Sequence, residues 1–269
     1  MNYNITIVSC WYILKSKFDI NLYSEWIDNF FKCVNKCNIV IYTNECSKYM
    51  LNKYINLDNL KIVVLELEDL YNYKYKETWI FNHKNNYLLN NRIAWELNML
   101  WNEKISFVKK TLDNNYFTSD WYIYCDIGYF RNRHCDLNNN YFKKWPNNNK
   151  ILCLNNDKIY YAKVNNNSNI FNNYIKIILD KNDKGLPKLE IPHNQVSIAG
   201  GFFIIHKDKI NWYHNLHDDK LKLYFDNNRL VKDDQIIVLN NIIDNIINFQ
   251  LISENDKYDN WFLFQRFLL

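Results

Sequence analysis

Only four glycines and three prolines occur in the 269 residues, whereas ordinary usage of about 7% would give roughly 19 glycines. That shortage excludes several functional classes. A Walker-type phosphate loop and the Gly-x-Gly-x-x-Gly turn of a dinucleotide-binding fold need clustered glycines, and neither pattern occurs. The Gly-x-Ser-x-Gly elbow of a serine hydrolase is missing too. No stretch approaches the ~18 apolar residues of a membrane span. The opening run MNYNITIVSCWYILK lacks a basic n-region and a small-residue cleavage site, and is expected to be a buried first strand. Basic residues never run longer than two, and 33 basic against 29 acidic residues leave a net charge of +4. Such mixing argues against a dedicated nucleic-acid binder and leaves room for a local basic cleft that takes a diphosphate.

What is present suits one large α/β domain: 48% hydrophobic and 17% aromatic residues are ample for a core. The 47 Asn, with abundant Lys, Ile, Tyr and Phe, are what a very AT-rich genome imposes, so Asn clusters carry little functional signal. The cysteines, at 10, 33, 37, 46, 125, 135 and 153, form an odd set. They are expected as free thiols in a reducing cytoplasm. Cys33-x3-Cys37 has no matching Cys/His pair nearby, which argues against structural zinc.

Alternation of strand and helix predicts a mostly parallel sheet with helices on both faces. Ile5–Tyr12, NIVIYT (38–43) and KIVVLEL (61–67) read as strands. Between the first two, Phe18, Leu22, Trp26 and Phe30 recur every four residues, as on a helix. Leu88–Leu112 reads as one long or broken helix and Trp121–Asp126 as the next strand. Residues 132–150 read as a polar surface excursion, followed by short β-like runs at Ile151–Leu154 and Ile159–Val164 and a helix at Phe171–Leu179. Asp180–His193, with Gly185, Pro187 and Pro192, reads as a loop and candidate lid. A last helix is expected from Asp233 to Ile247, burying Ile236, Leu239, Ile243 and Ile246. His206, His214 and His217 have no metal-site spacing and are expected to take surface or packing roles. No repeat or linker divides the chain.

Three runs carry chemistry. WYIYCDIGYFR (121–131) ends a strand on Asp126, followed by Gly128, Arg131 and Arg133. Ligands bind beyond the carboxyl ends of strands in such sheets, and one carboxylate with arginines suits a metal–diphosphate site. A simple strand end with a Gly128 turn in the left-handed region explains the run equally well. NQVSIAGGFFIIH (194–206) opens a strand on Gly200-Gly201, which suits close approach of a ligand or a bulge. In LVKDDQIIVL (230–239), one of Asp233 and Asp234 is expected to cap a helix and the other to face a cleft.

Taken in order, ITIVSCWY with its Tyr23–Trp26 helix, NIVIYT, Trp101-Asn-Glu-Lys104, Tyr124-Cys125-Asp126-Ile127-Gly128-Tyr129-Phe130-Arg131, VSIAGGFFIIH and KDDQIIV resemble the HtrL/YibB-type family of predicted glycosyltransferases. The resemblance covers residues 5–245 and implies a single GT-A-like domain acting on a nucleotide-diphosphate sugar, with a glycan, lipid or protein hydroxyl as acceptor. It implies that Asp126 holds a divalent metal, Mn²⁺ or Mg²⁺, on the donor diphosphate. Gly128 stands where the second Asp of the Asp-x-Asp motif belongs, and no His follows His217, so metal dependence is open. The resemblance implies ligand-binding roles for Asp126, Gly128, Arg131, Arg92, Lys104, Gly200 and Gly201, with Gly200-Gly201-Phe202 lining the acceptor side and Asp234 and Gln235 near the anomeric carbon. A rival reading, favoured by the missing second Asp, is an inactive GT-A-like domain that binds a glycan or a protein.

Overall fold

The computed structural model describes residues 4–132, 138–254 and 258–269; Arg133 and Cys135 lie outside them. Its elements in chain order are β1 (Ile5–Trp11), α1 (Ile20–Val34), β2 (Asn38–Thr43), α2 (Glu45–Lys48), β3 (Leu60–Val64), α3 (Lys76–Asn85), α4 (Trp95–Asn102), α5 (Lys104–Asp113) and β4 (Trp121–Cys125). There follow α6 (Asn148–Leu152), β5 (Ile159–Lys163), α7 (Ser168–Leu179), β6 (Ile198–His206), α8 (Lys207–Asp226), α9 (Asp234–Asp244), β7 (Phe249–Ile252) and α10 (Leu263–Phe267). The seven strands form one sheet in the order β3-β2-β1-β4-β6-β5-β7. Only β6 runs against its neighbours, antiparallel to both β4 and β5. The expected α/β architecture with a mostly parallel sheet is therefore what the chain adopts.

The central strands are buried on both faces, as near-continuous apolar runs require. In β4, Trp121, Ile123 and Cys125 pack in the layer that includes Phe30 of α1 and Phe264 of α10. Tyr122 and Tyr124 face the opposite layer, with Phe107 of α5, Tyr213 of α8 and Leu239 of α9. Residues alternate between the layers because strand side chains point to opposite faces.

Several boundaries differ from expectation. Asp19 caps α1 by accepting the Asn21 N–H, so Phe18 lies before the helix, and Phe18 and Leu22 are exposed while Trp26, Ile27, Phe30 and Phe31 are buried. β3 ends at Val64. The 88–112 segment holds two helices that meet at Glu103, preceded by turns. Within 132–150, Phe142 and Trp145 are fully packed, and Asn138 and Asn147 cap short helical turns. Ile151–Leu154 is the end of α6 and a turn, not a strand. The last helix stops at Asp244, which leaves Ile246 exposed.

The longest helix, α8 with 20 residues, was not expected from the pattern. Its buried face is Ile210, Tyr213, His214, His217, Leu221, Tyr224 and Phe225, so histidines and tyrosines occupy places where periodicity is normally read from aliphatic residues. Loop 180–193 is pinned by the Lys181–Asp244 and Arg229–Glu190 ion pairs and by buried Leu186 and Ile191. It lines no part of the main cleft, which removes the basis for a lid.

Candidate functional site

Where the chain leaves β1 and β4 the direction of strand addition reverses: β2 and β3 extend the sheet to one side of β1, and β4 begins the other. In open α/β sheets this switch point is where ligands bind. An apolar recess of about 120 Å³ lies there, lined by Trp11, Tyr12, Tyr23 and Tyr124. It shares Phe18, Trp101, Asp126 and Arg131 with a larger cleft of about 360 Å³.

Lys104, the first residue of α5, is the hub of the cleft floor. Its Nζ donates to the Gly200 carbonyl at 2.7 Å and to Asp234 Oδ2 at 2.8 Å, with Asp126 Oδ1 at 3.6 Å. The side chain is only 9% exposed. Burial works against its charge, yet the carboxylates of Asp126 and Asp234 outweigh burial and hold the ammonium above its ordinary value. Removing a charge from water costs several kcal/mol unless it is paired and hydrogen-bonded, and this lysine is both.

Asp126 follows β4 directly, and its N–H donates to the Gly201 carbonyl at 2.8 Å. Although 37% of its side chain opens to the cleft, burial is the main influence and pushes its carboxyl up; Asp234 adds to this, and Lys104 and Arg131 oppose it. Because β6 is antiparallel to β4, the start of β6 lies beside the end of β4, pairing Cys125 with Phe202. That register brings the two glycines to the two acids. A Cβ on Gly200 would lie 2.7 Å from Asp234 Oδ2, and one on Gly201 2.8 Å from Asp126 Oδ2. The pair is there to seat carboxylates.

Gly128 is not in the left-handed region, where Gly185 is the glycine found, at φ 78°. Its requirement is space, since a Cβ would meet Trp26 Cε3 at 2.9 Å. Arg131 donates from Nε to the Gly128 carbonyl at 2.7 Å and stacks 4.4 Å over the Trp26 ring. It forms one cleft wall.

At the other wall, Asp233 is the residue before α9, but its side chain makes no capping hydrogen bond. Oδ2 pairs with Lys232 at 2.7 Å, and Oδ1 is buried without a partner. Burial pushes this carboxyl up, against Lys232. Both aspartates line the cleft, so the expected division into one cap and one cleft residue is corrected. Gln235 accepts from Gln195 Nε2 at 3.5 Å, and Gln195 in turn accepts from the Ser197 hydroxyl. Arg92 is exposed and lines neither the recess nor the cleft; its charge acts only at a distance, helping to lower Lys17 after burial does so.

The cleft also holds residues that sequence reasoning missed. Lys17, in the loop before α1, lies 4.8 Å over the Trp101 ring and makes no ion pair among the described residues. Trp261 and Phe262 arrive from the C-terminal segment, for which no signal existed. Buried behind Gln235 rather than lining the cleft, Gln195 and Ser197 sit two apart just ahead of the glycines, and that polar spacing was readable. Of the surface and packing roles open to them, His214 and His217 take packing ones, with burial pushing His217 down to about 4.

Among the described residues no group of three His, Cys, Asp or Glu side chains is arranged to hold a metal ion. Asp126 and Asp234 both face the Lys104 ammonium, so this donor set does not fit a divalent ion held by the protein. The six described cysteines are free thiols, and no described helix is long and apolar enough to cross a membrane. No protein-family model matches the sequence, and no curated protein matches it.

Proposed function

We propose that the chain is a GT-A-like glycosyltransferase, akin to the HtrL/YibB type, that moves a sugar from a nucleoside-diphosphate donor to an acceptor hydroxyl on a glycan, lipid or protein in the cytoplasm. The observation that carries this reading is the pair of carboxylates, Asp126 and Asp234, seated on Gly201 and Gly200 around Lys104 at the sheet's switch point. An aromatic recess adjoins it on the β1 side, suited to the flat face of a nucleobase.

In this reading the base enters the recess and the diphosphate lies across Asp126 toward Lys17 and Arg131. The bond between the anomeric carbon and the diphosphate oxygen breaks as the acceptor oxygen bonds to that carbon. Negative charge grows on the departing diphosphate, where Lys17 and Arg131 offset it. Positive charge grows on the sugar ring, and a nearby carboxylate either stabilises it or takes the acceptor's proton. Asp234, with one carboxylate oxygen already accepting from the Lys104 ammonium, suits the first role, and the acceptor's proton leaves with the departing diphosphate. Gln235 has its Oε1 committed to Gln195, which leaves its amide N–H groups for sugar hydroxyls.

The deciding experiment scores free nucleotide release from UDP-, GDP-, CMP- and dTDP-sugars, with and without metal, since water replaces an absent acceptor. Slow hydrolysis of at least one donor is expected. Silence across the panel, with nucleotide binding intact, favours the inactive binder, for which the one supporting observation is Gly128 in place of a second acid.

A further inference from the structure

We infer that the donor diphosphate is held without a divalent ion, by the protein's own cations: Lys104 sits between Asp126 and Asp234, where a metal would otherwise be needed, and Lys17 faces the phosphates from the cleft wall. The inference rests on the glycosyltransferase reading above.

The Lys104 ammonium has three N–H groups. Two are used on Gly200 O and Asp234 Oδ2, at 2.7 and 2.8 Å, and the remaining neighbour is Asp126 Oδ1 at 3.6 Å. Both carboxylates are packed against glycine backbone, with no room for even a methyl group between them and the strand. Asp234 is held on the lysine by its hydrogen bond, and Asp126, partly open to the cleft, keeps an ion pair with the same ammonium. An arriving divalent ion would have to settle within a few ångströms of a buried positive charge, and repulsion at that range in a low-dielectric floor is large. Sharing the lysine between two acids also lowers the negative charge that a diphosphate meets.

Lys17 supplies what Lys104 cannot reach. It lies on a loop at the cleft edge, over Trp101, and forms no ion pair among the described residues, so it is available to phosphate oxygens. Lysine is a competent phosphate binder as a point charge.

The test is calorimetric titration of UDP, GDP, CDP and dTDP into metal-stripped protein in EDTA and, separately, in millimolar MnCl₂. At least one nucleoside diphosphate is expected to bind in EDTA with a Kd within about threefold of its Kd in manganese. Lys17→Met, an exposed substitution that keeps the fold, is expected to weaken it about tenfold or more. Lys104→Met leaves two facing carboxylates, and where it folds it is expected to take up Mn²⁺, read as loss of the free-ion paramagnetic resonance signal, whereas wild type takes up none. Nucleotide binding that appears only with metal, or wild-type protein that binds Mn²⁺ alone, overturns this inference and leaves the transferase reading standing. Unchanged affinity in Lys17→Met removes that residue from the site. If no nucleoside diphosphate binds in either buffer, the transferase reading itself falls.

Discussion

Gly201 leaves the space that the Asp126 carboxylate fills: a methyl group on its Cα would sit 2.8 Å from Asp126 Oδ2. Gly200 stands in the same relation to Asp234, at 2.7 Å. A contact that short forces one partner to move, and neither a strand backbone nor an aspartate held by lysine moves easily.

Gly200→Ala and Gly201→Ala are therefore expected to displace their carboxylates. Overpacking of this kind costs about 1–3 kcal/mol, so the melting temperature should fall by several degrees. Donor turnover should fall further than stability does, by about tenfold or more. Alanine variants that keep both wild-type turnover and wild-type melting would show that the acids need no such seat.

Asp126→Asn keeps the shape and removes the charge. Asp126 is partly open to the cleft, and a cleft substitution of this kind changes stability little. With no metal for this carboxylate to hold, nucleotide affinity is expected to stay near wild type or tighten, with turnover reduced and melting within a few degrees of wild type. Loss of nucleotide binding in Asp126→Asn would point instead to a metal held there.

Asp234 and Asp233 should separate. Asp234→Asn is expected to lower kcat by about 10²-fold with donor affinity preserved. Asp234→Ala should also lower the melting temperature, because it removes a hydrogen-bonded partner of buried Lys104. Asp233 makes no side-chain cap bond and carries an unpartnered oxygen; its loss should change stability by only about 1 kcal/mol. Loss of turnover in Asp233→Ala with normal turnover in Asp234→Asn would reverse the assignment.

Glu103, between α4 and α5, gives a pH prediction. Burial raises its carboxyl from 4.5 to about 7, although it accepts the Tyr71 and Asn72 N–H groups. Between those values the folded chain holds a proton that the unfolded chain has released. Its contribution to stability is thus full below pH 4.5, declines as pH rises, and levels off above about 7. The melting temperature of wild type relative to Glu103→Gln should fall across that window. A constant difference would mean that the carboxyl is ionised throughout.

Much of the fold was legible because it rests on local patterns. Apolar runs such as NIVIYT and WYIYC bury both faces of a strand, and Asp126 was identifiable as a strand end from the run that precedes it. α8 was not legible, since its core face is built of His and Tyr, whose polar ends find partners only in the folded chain: the Tyr161 and Tyr213 hydroxyls share a hydrogen bond at 2.7 Å. The C-terminal cleft wall of Trp261 and Phe262 had no local signature either.

The sequence by itself determined which residues had to be special: four glycines in 269 residues could not be spent idly, and the acid runs beside three of them were visible at once. Only the tertiary structure decided what those residues are for. The antiparallel register of β6 on β4 brings Gly200 and Gly201 to acids from two different segments, and Lys104, at the head of α5, completes the cluster. Pairings between residues 22 to 130 positions apart depend on sheet order and strand direction, which are set by the packing of the whole core and are not written in any local pattern.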